Sequence, residues 1–141
     1  MAWTMTAMAS WTTSKRVESV EMTLPEIRRA LVRASHQLHQ RGWVANHDGN
    51  ISVRIPGNRI LITPTAMSKG DVQEVDLVEI DLDGNKVSGG RKPPSEMALH
   101  LCIYKVRRDV RAVIHAHPPM SVAHAIAGLE IPTTMMPEPI V

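Results

Sequence analysis

Residues 50–62, Asn50-Ile51-Ser52-Val53-Arg54-Ile55-Pro56-Gly57-Asn58-Arg59-Ile60-Leu61-Ile62, decide the fold class. Ile51, Val53 and Ile55 alternate with polar residues, which marks a strand with one buried face, and Pro56-Gly57-Asn58 is turn chemistry. Ile60-Leu61-Ile62 is a second apolar run, so the stretch reads as an antiparallel hairpin. Upstream the period is helical. Thr23 and Glu26 form a capping box, Pro25 suits a first turn, and Leu24, Ile27, Ala30, Leu31, Ala34 and Leu38 fall at helical spacing. The spacing predicts a helix from about Leu24 to Arg41, closed by Gly42.

Downstream, the sequence predicts a strand near Val78 to Leu82, ended by Asp83-Gly84-Asn85, and a return strand at Lys86-Val87-Ser88. A helix from Ser95 to about Arg108, a strand from Val110 to His117, a helix from Met120 to Ala127 and a strand from Ile131 follow. That order implies an α/β fold, with helices covering a mainly antiparallel sheet. Residues 1–20 show no sustained period and read as a flexible tail, leaving one domain over 21–141. The last residues, Met135-Met136-Pro137-Glu138-Pro139-Ile140-Val141, form an apolar run with no cap behind it, so the domain is expected to be C-terminally incomplete.

Composition removes several function classes. In 141 residues, 43% are apolar, enough for one core, and the net charge is only +2 with both signs interspersed. Phe is absent and Tyr104 is the only tyrosine, so neither a basic patch nor a stacking platform points to nucleic acid. Cys102 stands alone, which rules out an internal disulfide and a cysteine-based zinc finger and suits a reducing, cytoplasmic address. No apolar stretch approaches the ~18 residues of a membrane span, and no secretory signal opens the chain.

Two histidines carry the first chemical signal. His115 and His117 are one residue apart in a predicted strand, so both imidazoles share a face and reach one ion while Ala116 packs behind. A lone H-x-H pair more commonly divides between core and solvent. Glu96 and His100 alter that balance, because they stand four apart on the preceding helix and face one way, toward the same pocket. Glu96 is therefore a candidate metal ligand and a candidate base toward a carbonyl substrate. His124, among Val122, Ala123, Ala125 and Ile126, reads as a packing histidine.

Three loops offer anion-binding groups. Asp48-Gly49-Asn50 precedes a strand, Thr63-Pro64-Thr65-Ala66 follows one, and Pro93-Pro94-Ser95 opens a helix. Backbone N–H groups, short hydroxyls and a helix N-terminus bind phosphate without Lys or Arg. Turns and N-caps use the same residues, so each loop alone is weak.

Gly49-Asn50-Ile51-Ser52-Val53-Arg54, Ile62-Thr63-Pro64-Thr65, Pro94-Ser95-Glu96-Met97 through His100, and Val113-Ile114-His115-Ala116-His117-Pro118 together resemble the class II aldolase/adducin family, whose members include L-fuculose-phosphate aldolase. The resemblance covers about Leu24 to Val141. It implies a three-layer α/β/α sandwich, a cyclic homotetramer, a phosphorylated sugar substrate and a zinc ion held by three histidines. Zinc, or another divalent metal, would polarise a ketose carbonyl and stabilise the enediolate left by carbon–carbon cleavage, with a glutamate handling the proton. Glu96 matches that glutamate, and His115 and His117 match two zinc ligands. Gly49, Asn50, Thr65, Ala66 and Ser95 match the phosphate-binding positions, with Ala66 replacing the usual Gly and Pro94 the usual Ser.

Other positions depart from the family pattern. No histidine matches the third zinc ligand, so this chain is expected to bind zinc weakly and show little activity. Met136 stands where fuculose-phosphate aldolases carry Tyr, and Glu138 stands roughly where dehydratases of the family place an acid. Epimerases of the family carry Asp at the position of Glu96, which disfavours epimerisation. Aldol cleavage of a small phosphorylated ketose is the leading expectation. A sugar-phosphate dehydratase or decarboxylase is the nearest rival, and a non-catalytic adducin-like module or inactive fragment is the alternative of another class.

Overall fold

The computed structural model describes residues 22–130. Helix α1 (Leu24–Gln40) starts where the sequence places it, with the Glu26 carboxylate accepting from the backbone N–H and the hydroxyl of Thr23, both at 2.7 Å. It ends in a Schellman motif: Trp43 N–H donates to Leu38 O at 3.0 Å and Gly42 N–H to His39 O at 2.9 Å, with Gly42 at φ +67°.

Strands β1 (Asn50–Ile55) and β2 (Arg59–Ile62) form the predicted hairpin, with Ser52 opposite Ile62 and Ile55 opposite Arg59. Strands β3 (Val78–Asp81) and β4 (Lys86–Ser88) continue the meander, and β5 (Ala112–His115) returns to pair with the other edge of β1. The order is β4-β3-β2-β1-β5, and every pairing is antiparallel.

Period-two alternation divides the core. Ile51, Ile55 and Leu61 join Leu31 and Leu38 of α1 on one face of the sheet. On the other face Ile60, Ile62, Val78, Ile80 and Val113 pack with Leu101 and Tyr104 of α2 (Met97–Val106). Helix, sheet and helix therefore make the α/β/α sandwich. Each fully buried Ile or Leu contributes about 1.5–3 kcal/mol, so the central hairpin dominates stability. Among the described residues no helix is long and apolar enough to cross a membrane.

Two boundaries and one packing assignment differ from the sequence reading. Helix α2 begins at Met97, not Ser95, because Met97 N–H bonds Pro94 O and Leu99 N–H bonds Glu96 O in tight turns that leave Ser95 outside. Strand β5 ends at His115, since His117 N–H turns away to Trp43 O at 2.8 Å. Helix α3 (Pro119–Ile126) buries none of its residues, so His124 is half-buried on an uncovered helix and packs in no core. The predicted tail, the strand from Ile131, Met136 and Glu138 lie outside the described residues.

Gly49 joins the two halves of the site and has no room for a side chain. At φ +67°, an added Cβ meets Val44 Cγ1 at 2.5 Å and the His115 carbonyl oxygen at 2.7 Å. Gly42 has the same φ and nothing within 4 Å. Gly42→Ala is therefore expected to cost about 1–2 kcal/mol from backbone strain alone. Gly49→Ala should cost about 2–5 kcal/mol, because overpacking adds to strain. Urea unfolding of both variants checks this, and equal losses would show that the close approach does not operate.

Candidate metal centre

His115 is the last residue of β5 and lies opposite Asn50 in register, on the face that α2 covers. His117 follows beyond the ladder, yet the two rings remain 4.7 Å apart between centroids. Their Nε2 atoms point at each other across 3.0 Å. On the far side of each ring stands a carboxylate: Glu96 Oε2 is 3.1 Å from His115 Nδ1, and Asp48 Oδ2 is 3.9 Å from His117 Nδ1.

This arrangement fits a divalent ion. Two imidazole nitrogens this close need a proton or a cation between them. Tetrahedral bonds of ~2.0–2.1 Å set two ligand nitrogens about 3.3 Å apart, near the observed separation. The Glu96 carboxylate at His115 Nδ1 fixes that ring's orientation and tautomer, as outer partners of metal-binding histidines commonly do, while Asp48 lies too far from His117 Nδ1 for a direct hydrogen bond. Glu96, His115 and His117 each offer one ligand atom, all within 4.8 Å of one another. Imidazole with carboxylate suits zinc and its divalent neighbours.

Glu96 occupies the N-cap position of α2. Its Oε2 accepts from Asn50 Nδ2 at 2.5 Å as well as from His115 Nδ1. The Asn50 hydrogen bond holds its carboxyl below the usual carboxylate range, against partial burial and with help from His115 and His117. Both bonds fall on one oxygen, so Oε1 stays outside them.

His100 does not join the cluster. Fully buried, it places Nε2 2.6 Å from Asn50 Oδ1 and Nδ1 2.6 Å from Ser52 Oγ. Burial, then His115, pushes its pKa from 6.5 down to about 4, with Glu96 opposing. Sequence spacing puts Glu96 and His100 on one helical face, but the helix starts after Glu96 and a bridging asparagine separates them.

Two of the three loops meet at Glu96, and the third is fastened to the segment that leads into it. Asn50 bonds it directly, Ser95 is its exposed neighbour, and Thr65 N–H donates to Lys92 O at 3.0 Å, fastening the loop after β2 to the segment before α2. Gly49 is buried beside Val44, and Ala66 takes φ +52°, a conformation that favours glycine. Asn50 is 3% exposed, with its amide engaged by Glu96 and His100.

Sequence reasoning misses two charged groups. Asp48 reads only as part of a loop. Lys69, 1% exposed, donates to Met67 O at 2.9 Å and His47 O at 3.3 Å, tying the loop after β2 to the loop before β1. Burial pushes its pKa down, while Asp48 and Glu96 push it up. Nothing in Ser68-Lys69-Gly70 signals a buried lysine.

The family model described as Class II Aldolase and Adducin N-terminal domain matches residues 29–140. An L-fuculose phosphate aldolase of Methanocaldococcus jannaschii is 38% identical over 104 residues, covering 74% of this chain and 56% of that protein. A methylthioribulose-1-phosphate dehydratase of Pectobacterium atrosepticum is 38% identical over 88 residues, 62% of this chain and 43% of its own. The crystal structure of L-fuculose-1-phosphate aldolase from Thermus thermophilus superposes with a TM-score of 0.62 at 31% identity, over 72% of this chain and 49% of that one. The chain thus spans about half the length of the relatives it matches.

His100 gives the fold a pH dependence. Between pH 6.5 and about 4 the unfolded chain binds a proton at this position that the folded chain refuses. Stability is therefore expected to fall as pH drops through that window, by at most about 3 kcal/mol, and to be insensitive to His100 above it. Urea unfolding at pH 7, 5.5 and 4 should show the loss in the wild type and a flatter profile in His100→Gln. Identical slopes would remove His100 as the cause.

Proposed function

The chain belongs to the class II aldolase and adducin family, and on that premise we propose that it is a divalent-metal lyase acting on a small phosphorylated ketose, cleaving a carbon–carbon bond by the reverse aldol reaction. The observation that carries this reading is the pair of Nε2 atoms 3.0 Å apart, with a carboxylate on the far side of each ring. His115 and His117 would hold the ion through Nε2, with Glu96 behind His115 at Nδ1. When bound, zinc or another divalent metal supplies polarisation of the substrate carbonyl and neutralises negative charge developing on its oxygen.

The chain's own residues do the rest. Glu96, kept ionised by Asn50, moves the proton at the carbon beside the carbonyl as general acid/base, through the oxygen that Asn50 and His115 leave free. Thr65, Ala66 and Ser95 would grip the phosphate, with buried Gly49 and Asn50 shaping the floor of that pocket and Lys69 beneath supplying positive charge.

Dehydration of a sugar phosphate is the second reading, supported by similarity to the Pectobacterium dehydratase; decarboxylation would use the same proton transfer. The convergence of Glu96, His115 and His117 favours either over a non-catalytic adducin-like module. Self-association, as a tetramer in the cytoplasm, completes the proposal. Self-association is supported by the uncovered α3, where Met120 is 80% and Ile126 82% exposed.

Calorimetric titration of EDTA-stripped chain with zinc is expected to show one ion per chain. His115→Ala and His117→Ala should each weaken it about 100-fold or more, since each removes a ligand from an already sparse set. Glu96→Gln should retain most of the metal and lose turnover of ketose phosphates. Triose phosphate release identifies aldol cleavage, and water loss without carbon–carbon cleavage identifies the dehydratase. Unchanged affinity in His115→Ala would sink the metal centre.

A further inference from the structure

Behind the metal centre lies a buried file of polar groups that the reaction does not touch. Tyr104 is 1% exposed, and Ser52 and His100 are 0% exposed. They sit among Ile60, Ile62, Val78, Ile80, Leu101 and Val113, where apolar side chains would fill the same space. A buried polar network gives little net stability over such a filling, so its presence calls for another role.

Donor chemistry fixes the direction of every bond in the file. An ionised Glu96 only accepts, so the nitrogen of the Asn50 amide must face it and Asn50 Oδ1 must face His100. Oδ1 only accepts, so His100 carries its hydrogen on Nε2. A neutral imidazole protonated there accepts at Nδ1, so the Ser52 hydroxyl donates to it at 2.6 Å. Ser52 Oγ then accepts from the Tyr104 hydroxyl at 2.9 Å. The file begins at Tyr104 on α2, passes between β1 and α2, and ends on Glu96 Oε2.

We propose that Tyr104, Ser52 and His100 are positioning residues of the metal centre: through a one-way hydrogen-bond chain they hold the Asn50 amide, and with it the Glu96 carboxylate, in a single orientation toward His115. The proposal rests on the metal-centre reading above and deepens it. A reversed chain would turn Asn50 Oδ1 against the carboxylate, placing two acceptors in contact, so no second arrangement competes. Glu96 Oε2 is then committed to Asn50 and His115, and Oε1 alone is free to exchange a proton. The cluster also fixes the His115 tautomer, since the carboxylate that Asn50 orients accepts from Nδ1 and leaves Nε2 for the ion.

Two measurements on the full chain test this. Two-bond proton–nitrogen NMR correlations of wild-type His100 at pH 7 are expected to show the Nε2–H tautomer alone, the form that the Asn50 carbonyl oxygen demands. Cobalt titration, read by its visible spectrum, should show about tenfold weaker binding in Ser52→Ala, the size expected for loss of an outer partner, and recovery in Ser52→Thr, which restores the hydroxyl. If Ser52→Ala does not fold, Tyr104→Phe takes its place with a several-fold loss expected. A wild-type His100 in the Nδ1–H or doubly protonated form overturns the chain, and cobalt binding unchanged in the folded variants overturns the positioning role alone. A wild type that takes up no cobalt brings down the metal-centre reading and the proposal together.

Discussion

The amide of Asn50 donates to Glu96 at 2.5 Å while its carbonyl receives His100 at 2.6 Å, so one buried side chain ties β1 to both the head and the body of α2. Asn50 is also the residue opposite His115 in the β1–β5 ladder. Strand pairing, helix docking and carboxylate orientation therefore meet at one position. Removing the amide leaves the fully buried His100 without its Nε2 partner and Glu96 without its donor, a cost borne by the fold as much as by the site. The neighbouring Gly49 makes the same point from the backbone, because His115 O lies where its side chain would be.

Much of the fold is legible in the sequence because its signals are periodic. The alternation of Ile51, Val53 and Ile55, the capping box at Thr23 and Glu26, and the Gly42 terminus each act over a few residues and survive in the structure. Boundaries are less legible where tertiary bonds intervene. His117 reads as strand until Trp43 O takes its N–H, and Ser95 reads as a cap until Pro94 O takes the N–H of Met97. Neither contact is local to the pattern that suggests otherwise.

The site divides the same way. His115, His117 and Glu96 are legible because their chemistry and spacing are short-range, and the structure brings them together. Lys69, Asp48, Ser52 and Tyr104 are not, because their roles come from β1, β5 and α2 meeting across long stretches of chain. His100 shows the hazard in between: four residues from Glu96 is correct helical arithmetic, but Glu96 precedes the first helical turn and Asn50 fills the gap.

Strand β5 has a further consequence for how the molecule assembles. Strands β1 to β4 form a meander of neighbours in sequence, whereas β5 must cross back past all of them to reach β1. Contacts of such long sequence separation form late and slowly, after the local hairpins have provided an edge. His115 arrives on that last strand, and His117 with it, so a chain emerging during synthesis holds a partial sheet before it holds either imidazole in place. The topology thus keeps the two imidazoles apart from Glu96 until the rest of the sheet can receive them, and a half-folded chain holds the parts of the candidate centre only as separate pieces.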